Sequence, residues 1–125
     1  MTTTDLSLDE LRQTNQARRE EWRARDGSSP WCGADWSNEM CGEAGEAANI
    51  VKKLRRLETG YKGQGLTEQE LLTRLGEELA DVIICVDLLA MYYGIKLGLN
   101  VKLKFNETSD KQGLTTKFDV LEGTL

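Results

Sequence analysis

Two pairs of acidic residues lie inside segments whose other residues repeat with the spacing of a buried helix. Glu43 and Glu46 form the first pair, and Glu78 and Asp81 form the second. Residues three apart on a helix lie about one turn apart on the same side, with Cβ atoms about 5–6 Å apart. Carboxylates directed into a core are costly unless a counter-charge neutralises them. The two pairs therefore constrain how the helices that carry them can pack.

Both pairs fall at the same distance from a glycine-rich connection at residues 58–66. Helices joined by a short connection pack as antiparallel neighbours. Glu46 precedes the expected end of its helix, Leu57, by 11 residues, and Glu78 follows the expected cap of the next helix, Thr67, by 11 residues. At about 1.5 Å per residue, both pairs lie roughly 16–21 Å from the turn. The spacing predicts that the four carboxylates meet at one level.

The composition favours a single helical domain. The chain has 125 residues, one proline and many residues that favour helices, and this length supports one sizeable core. We expect an all-α fold, an antiparallel helical bundle of about four helices, over residues 1–113. Residues 114–125 form a C-terminal tail with scattered apolar residues, and the pattern does not decide whether it packs on the body or on a partner chain.

Capping patterns predict where the helices begin. Ser7 with Glu10 and Thr67 with Glu70 are spaced as capping boxes. The predicted helices run from Ser7 to about Arg25, from Asp35 or Ser37 to Leu57, from Thr67 to a stop at Gly94, and from about Leu97 to Lys111.

Helical periodicity indicates which side of each long helix is buried. The predicted apolar face of the second helix consists of Trp36, Met40, Ala44, Ala47, Val51 and Leu54, and that of the third consists of Leu75, Leu79, Val82, Val86, Leu89 and Tyr93. The four acids occupy neighbouring lines that also carry apolar residues, so we expect them to face the core. Gly42 and Gly45 each cost about 1 kcal/mol of helix propensity relative to Ala, which suggests a close approach to the backbone there.

Composition also excludes several classes of function. The chain has no histidine, so Ser-His-Asp catalysis and histidine-ligated metal sites are excluded. A net charge of −5 argues against nucleic acid as the main partner. Three unpatterned cysteines indicate a reducing compartment. The first residues lack a signal-peptide pattern, and the apolar run at 79–95 is too short and too acidic to span a membrane. We expect a cytoplasmic protein.

Four carboxylates without imidazole or paired thiolates form a hard-oxygen site, which suits Mg²⁺ or, as a substitute, Mn²⁺. Mg²⁺ binds through a few carboxylates plus substrate phosphates, so the natural ligand is a nucleotide polyphosphate. With 21 acidic residues in the chain, either pair alone also fits an ordinary solvated helix face. Trp36 could stack on a base or simply pack, and Asp87, on another face, is expected to pair with a lysine.

Three segments together resemble the MazG-like, all-α nucleoside triphosphate pyrophosphohydrolase superfamily. Gly-Glu-Ala-Gly-Glu-Ala at 42–47 and Glu-Glu-Leu-Ala-Asp-Val at 77–82 are similar to its Glu-Glu-x-x-Glu and Glu-x-x-Asp pattern. Lys-Phe-Asn-Glu-Thr-Ser-Asp-Lys at 104–111 is similar to its closing motif, in which a lysine and an asparagine face the substrate. The resemblance covers about residues 10–113. Gly42 stands where many members have a glutamate, and 31 residues separate the two acidic motifs.

The resemblance implies a Mg²⁺-dependent enzyme that hydrolyses an NTP or dNTP to the monophosphate and pyrophosphate, working as a homodimer or homotetramer. It assigns Glu43, Glu46, Glu78 and Asp81 as metal ligands, and Lys104, Asn106 and more weakly Lys53 as substrate contacts. Because Gly42 replaces the family's first glutamate, the resemblance leaves the catalytic base open between Glu43 and Glu46. Trp36, which could stack on a base, is a further candidate substrate contact. The alternatives are a narrow-specificity dUTP, dCTP or phosphoribosyl-ATP pyrophosphohydrolase and a non-catalytic, metal-binding helical interaction module.

Overall fold

The computed structural model describes residues 5–28, 30–61 and 63–121, and these form an all-α fold. The N-terminal residues 1–4 and the last four residues of the predicted tail lie outside the described part. The helices are α1 (Leu8–Asp26), α2 (Gly33–Glu58), α3 (Glu68–Tyr92) and α4 (Leu97–Lys111). The predicted helix count and most of the predicted boundaries are confirmed.

The predicted caps of α1 and α3 form as expected. The Ser7 hydroxyl accepts a hydrogen bond from the Glu10 amide at 3.1 Å, and Thr67 does the same for the Glu70 amide at 3.1 Å. α2 starts earlier than predicted, at Gly33, because the Asp35 carboxylate accepts a hydrogen bond at 2.9 Å from the amide of the preceding cap residue, Cys32.

α2 and α3 form the main packed pair of the molecule and run antiparallel. The start of α2 lies beside the end of α3, where a Cβ on Gly33 would collide with the Tyr93 ring. Their connection turns at Gly60 and Gly65, whose φ angles of 91° and 70° favour glycine. The predicted hairpin of helices is confirmed.

The buried line of each helix differs from the predicted one. On α2, Ala47 and Ile50 are buried, whereas Val51 is 49% exposed. On α3, Leu71 and Cys85 are buried, whereas Leu79 is 51% exposed. The line along which α2 and α3 pack on each other, called the seam below, consists of residues spaced alternately four and three apart. These are Trp36, Met40, Glu43, Ala47, Ile50, Leu54 and Leu57 on α2, and Leu71, Leu75, Glu78, Val82, Cys85 and Leu89 on α3. Glu43 and Glu78 therefore lie on the seam itself.

A buried polar contact holds α1 against α3. Asp87 is 0% exposed, and its two carboxylate oxygens accept hydrogen bonds from Arg12 Nε at 3.0 Å and from Asn15 Nδ2 at 2.8 Å. The predicted lysine partner is wrong, because the cation comes from an arginine of α1. Leu11 is buried on the same side of α1.

α4 packs on α1. α3 and α4 are bent by 105° relative to each other, so the four helices are not all antiparallel. The tail packs on α4: the Asn106 side chain donates to the Phe118 carbonyl at 2.9 Å and accepts from the Phe118 amide at 2.8 Å. The Phe105 and Phe118 rings meet edge to face at 4.9 Å.

In the described residues, no single helix is both long and apolar enough to cross a membrane. α3 and α4 reach that length and composition only when taken together across their bend.

Candidate metal centre and adjoining cavity

Three of the four predicted acids meet between α2 and α3. Glu43, Glu46 and Glu78 each contribute one carboxylate oxygen to a group whose atoms all lie within 4.8 Å of one another. The matched distances from the α2–α3 connection explain this meeting. Asp81 lies outside this group, although it is close enough for its charge to raise the pKa values of Glu43 and Glu78.

The acids are less deeply buried than the sequence predicts. Glu43 and Glu78 are half-buried because they occupy seam positions, whereas Glu46 and Asp81 are exposed at the seam's edge. The cluster is therefore open to solvent on one side and closed by helix packing on the other.

The crowding of carboxylates changes their proton affinity. Burial, followed by the hydrogen bond that protonated Glu43 makes with Glu78 and by the charges of Glu46 and Asp81, raises the pKa of Glu43 to about 7. A hydrogen bond with Glu46, followed by burial, raises the pKa of Glu78. Raised pKa values mean that the cluster lacks enough positive charge to hold every carboxylate ionised.

Two oxygens of the cluster fit a bound cation. Glu43 Oε2 and Glu78 Oε2 are both shielded from solvent, and neither has a hydrogen-bond partner among the described residues. Buried oxygens without donors are costly, and a divalent cation would satisfy both. Every atom that could coordinate a metal here is a carboxylate oxygen, so these ligands suit Mg²⁺ or Mn²⁺ rather than zinc.

A cavity of about 760 Å³ adjoins the acidic cluster between α1 and the α2–α3 pair. Glu43 and Asp81 line one side of it, and α1 forms the opposite side. Trp36, a predicted substrate contact, also lines the cavity, with its ring 4.6 Å from that of Trp31 at 55°. The volume lies within the range of about 300–1,000 Å³ typical of small-molecule sites.

The other predicted substrate contacts lie away from this cavity within the single chain. Lys53 is two turns beyond Glu46, and its carbonyl accepts from Gln64 Nε2 at 3.0 Å. Lys104 is exposed and forms an ion pair with Glu107 at 3.4 Å. Both polar atoms of the Asn106 side-chain amide form hydrogen bonds with the backbone of the tail. None of these three lines the cavity.

The two glycines beside the acids are not required by packing within the chain. A Cβ added at Gly42 or Gly45 would meet no atom within 4 Å. The expected close approach to the backbone at these positions is therefore not made by the described residues of this chain.

Sequence reasoning missed the contribution of α1 to the cavity. Arg18, Arg19 and Arg23 line it together with Trp22. The available signal was the recurrence of Asn15, Arg19, Trp22, Arg23 and Asp26 at helical spacing, all of which line this cavity. A polar helix face of this kind is easily taken for a solvated one.

No protein-family model matches this chain, and no curated protein matches it in sequence. The relationship to the MazG-like superfamily therefore stays a prediction from the three motifs.

Proposed function

We propose that this protein is a Mg²⁺-dependent nucleoside triphosphate pyrophosphohydrolase of the MazG-like kind, which removes surplus or aberrant nucleotides in the cytoplasm. The observation that carries the proposal is the meeting of Glu43, Glu46 and Glu78 within 4.8 Å at the edge of a cavity large enough for a nucleotide. The raised proton affinity and the two unpartnered oxygens of this cluster support a cation there.

The position of each acidic residue in the cluster suggests its role. Glu43, Glu46 and Glu78, whose oxygens meet, would hold the ion, and Asp81 would add a fourth carboxylate from the cavity side. Because Glu46 is the exposed member of the group, it would also be placed to orient water or accept its proton as general base. When bound, Mg²⁺ neutralises phosphate oxygens and acidifies water, so that attack on the α-phosphorus can release pyrophosphate.

Pyrophosphate release from a panel of NTPs and dNTPs tests this proposal. We expect Mg²⁺-dependent turnover of at least one nucleotide and none in EDTA. Changing a residue that only supports a metal ligand already lowers metal affinity or activity about 10–100-fold. Glu46 belongs to the cluster itself, so Glu46→Gln should lower turnover by at least about 100-fold. Glu77→Gln, an exposed neighbour on α3, is the matched control and should retain activity. Absence of release from every nucleotide would overturn the proposal.

A non-catalytic, metal-binding module is the second candidate. Its support is that Lys104 pairs with Glu107 and that Asn106 holds the tail, so neither faces the cavity of the single chain. Mg²⁺ binding by calorimetry without any turnover would favour this module. Activity confined to dUTP, dCTP or phosphoribosyl-ATP would instead favour a narrow-specificity enzyme.

The resemblance also implies assembly as a homodimer or homotetramer, and we include this assembly in the proposal. It is supported by an exposed line of apolar side chains on α3, formed by Leu72, Leu79 and Ile83 at 45%, 51% and 47% exposure. Apolar residues gathered on one helix face are typical of association surfaces.

A further inference from the structure

The cavity beside the acidic cluster has two walls of opposite charge. Glu39, Glu43 and Asp81 line the side formed by α2 and α3, whereas the α1 side carries three arginines and one acid, Asp26. A guanidinium is charged at every physiological pH and matches a phosphate with two parallel hydrogen bonds. A ligand that fills this space must therefore present anionic groups to α1 as well as to a cation held by the acids.

Arg19 has a donor on this wall that forms no hydrogen bond among the described residues. Its Nε is shielded from solvent and has no hydrogen-bond partner among the described residues, and the nearest carboxylate, that of Glu20, is 3.6 Å away. Arg23 already donates to Glu20 at 3.1 Å, and the Arg18 guanidinium lies 5.1 Å from the centre of the Trp22 ring. The shielded Nε of Arg19 is thus an unused donor on a residue that lines the cavity.

All three tryptophans of the chain line this same cavity. Trp31 and Trp36 lie together at its rim, and Trp22 lies on α1 between the arginines. Aromatic rings provide surfaces on which nucleobases stack with little dependence on base identity. Phosphate recognition and base stacking are therefore combined in one space.

We propose that Arg19 binds a phosphate of the substrate and that the tryptophan-lined part of the cavity holds its base, so that α1 forms the second wall of a nucleotide site. This inference rests on the proposed function for the identity of the ligand as a nucleotide. It adds to that function a phosphate contact that needs no metal and a site for the base.

Tryptophan fluorescence tests the inference without a label, because every tryptophan lines the cavity. The titrant is an α,β-imido deoxynucleoside triphosphate with Mg²⁺, which does not release pyrophosphate. We expect a saturable change in emission. Arg19→Ala should weaken the apparent affinity about tenfold to 100-fold, as expected for the loss of a charged hydrogen-bond donor, and Arg19→Lys should restore part of it.

Arg25→Ala is the matched control on the same helix, because Arg25 pairs with Asp26 and does not line the cavity. Its affinity should equal that of the wild type. The deoxynucleoside without phosphates should bind equally to the wild type and to Arg19→Ala. Circular dichroism would establish that both variants retain their helices.

The inference and the proposed function fail in different ways. Arg19-dependent binding without pyrophosphate release from any nucleotide would support the inference and overturn the hydrolase. Turnover in which Arg19→Ala has the KM of Arg25→Ala would support the hydrolase and overturn the inference. Absence of any saturable fluorescence change would also overturn the inference.

Discussion

Glu43 has a carboxyl whose burial and neighbours raise its pKa well above the ordinary value. It occupies a seam position that an apolar side chain would normally fill, and burial together with Glu78 raises its pKa to about 7. The folded state therefore binds a proton at Glu43 more tightly than the unfolded state, whose carboxyl keeps the ordinary value of 4.5. The stability that this proton provides is complete below pH 4.5 and is lost as the pH rises to about 7.

We therefore predict that, in EDTA, the melting temperature of the wild type falls between pH 4.5 and 7 by more than that of Glu43→Gln. The glutamine keeps the size of the side chain and has no charge to desolvate. Above this window the two curves should run parallel, with the variant melting at the higher temperature. Thermal unfolding followed by circular dichroism measures both, and parallel curves throughout would contradict the assigned cause.

We predict that Mg²⁺ reverses the order of the melting temperatures of the wild type and Glu43→Gln. At pH 8 the ion replaces the proton as the counter-charge, so saturating Mg²⁺ should raise the melting temperature of the wild type. The melting temperature of Glu43→Gln should rise less, because its side chain has no negative charge with which to bind the ion.

The helices themselves were predicted well from the sequence, because their signals are local. Ser7 and Thr67 cap α1 and α3 at the positions that their spacing predicts. Counting residues outward from the α2–α3 connection also predicted that acids of the two helices meet. The start of α2 was misplaced since Cys32 is not a usual cap residue, and the capping carboxylate of Asp35 comes three residues later.

Rotation of each helix about its axis was predicted less well. Two apolar lines lie side by side on α2 and on α3, and the choice between them depends on the partner helix. The structure selects the line that includes Glu43 and Glu78 and leaves Leu79 and Val51 exposed. The wall formed by the arginines of α1 was missed because a polar helix face also fits a solvated one, and its place beside the cavity depends on how α1 docks on α3.

That docking gives a prediction for α1. Asp87→Ala removes both acceptors of the Arg12 and Asn15 side chains and leaves a partly buried guanidinium unpaired. Breaking such a pair costs about 3–5 kcal/mol, so the free energy of unfolding in urea should fall by about this amount. Asp110→Ala, which removes an exposed pairing with Lys117, should cost no more than about 1 kcal/mol. Equal losses in the two variants would contradict a specific role for Asp87.

At the scale of the whole molecule, the single chain leaves much apolar surface uncovered. Leu72, Leu79 and Ile83 form one line on α3, and none of them lies on the seam with α2. The core of one chain is correspondingly small. An assembly of copies would cover this surface.

We predict that light scattering after size exclusion gives a multiple of the 14.0 kDa chain mass. The double variant Leu79→Lys with Ile83→Lys should shift the protein toward the mass of one chain, because two buried charges oppose association. Leu114→Lys, at a similarly exposed apolar position at the start of the tail, is the matched control and should leave the mass unchanged. A wild-type protein with the mass of one chain would contradict the assembly.

The Asp87 contact has a further consequence for ligand selection. A helix held by apolar area alone can settle at several offsets along its neighbour, whereas directional bonds from Arg12 and Asn15 to one carboxylate allow a single offset. That offset sets how far Arg19, one turn beyond Asn15, stands from the carboxylates of α2 and α3. In the proposed site, this distance separates the group that would bind a phosphate from the groups that would bind a cation. Discrimination between ligands with one, two or three phosphates would then originate in a residue that touches none of them.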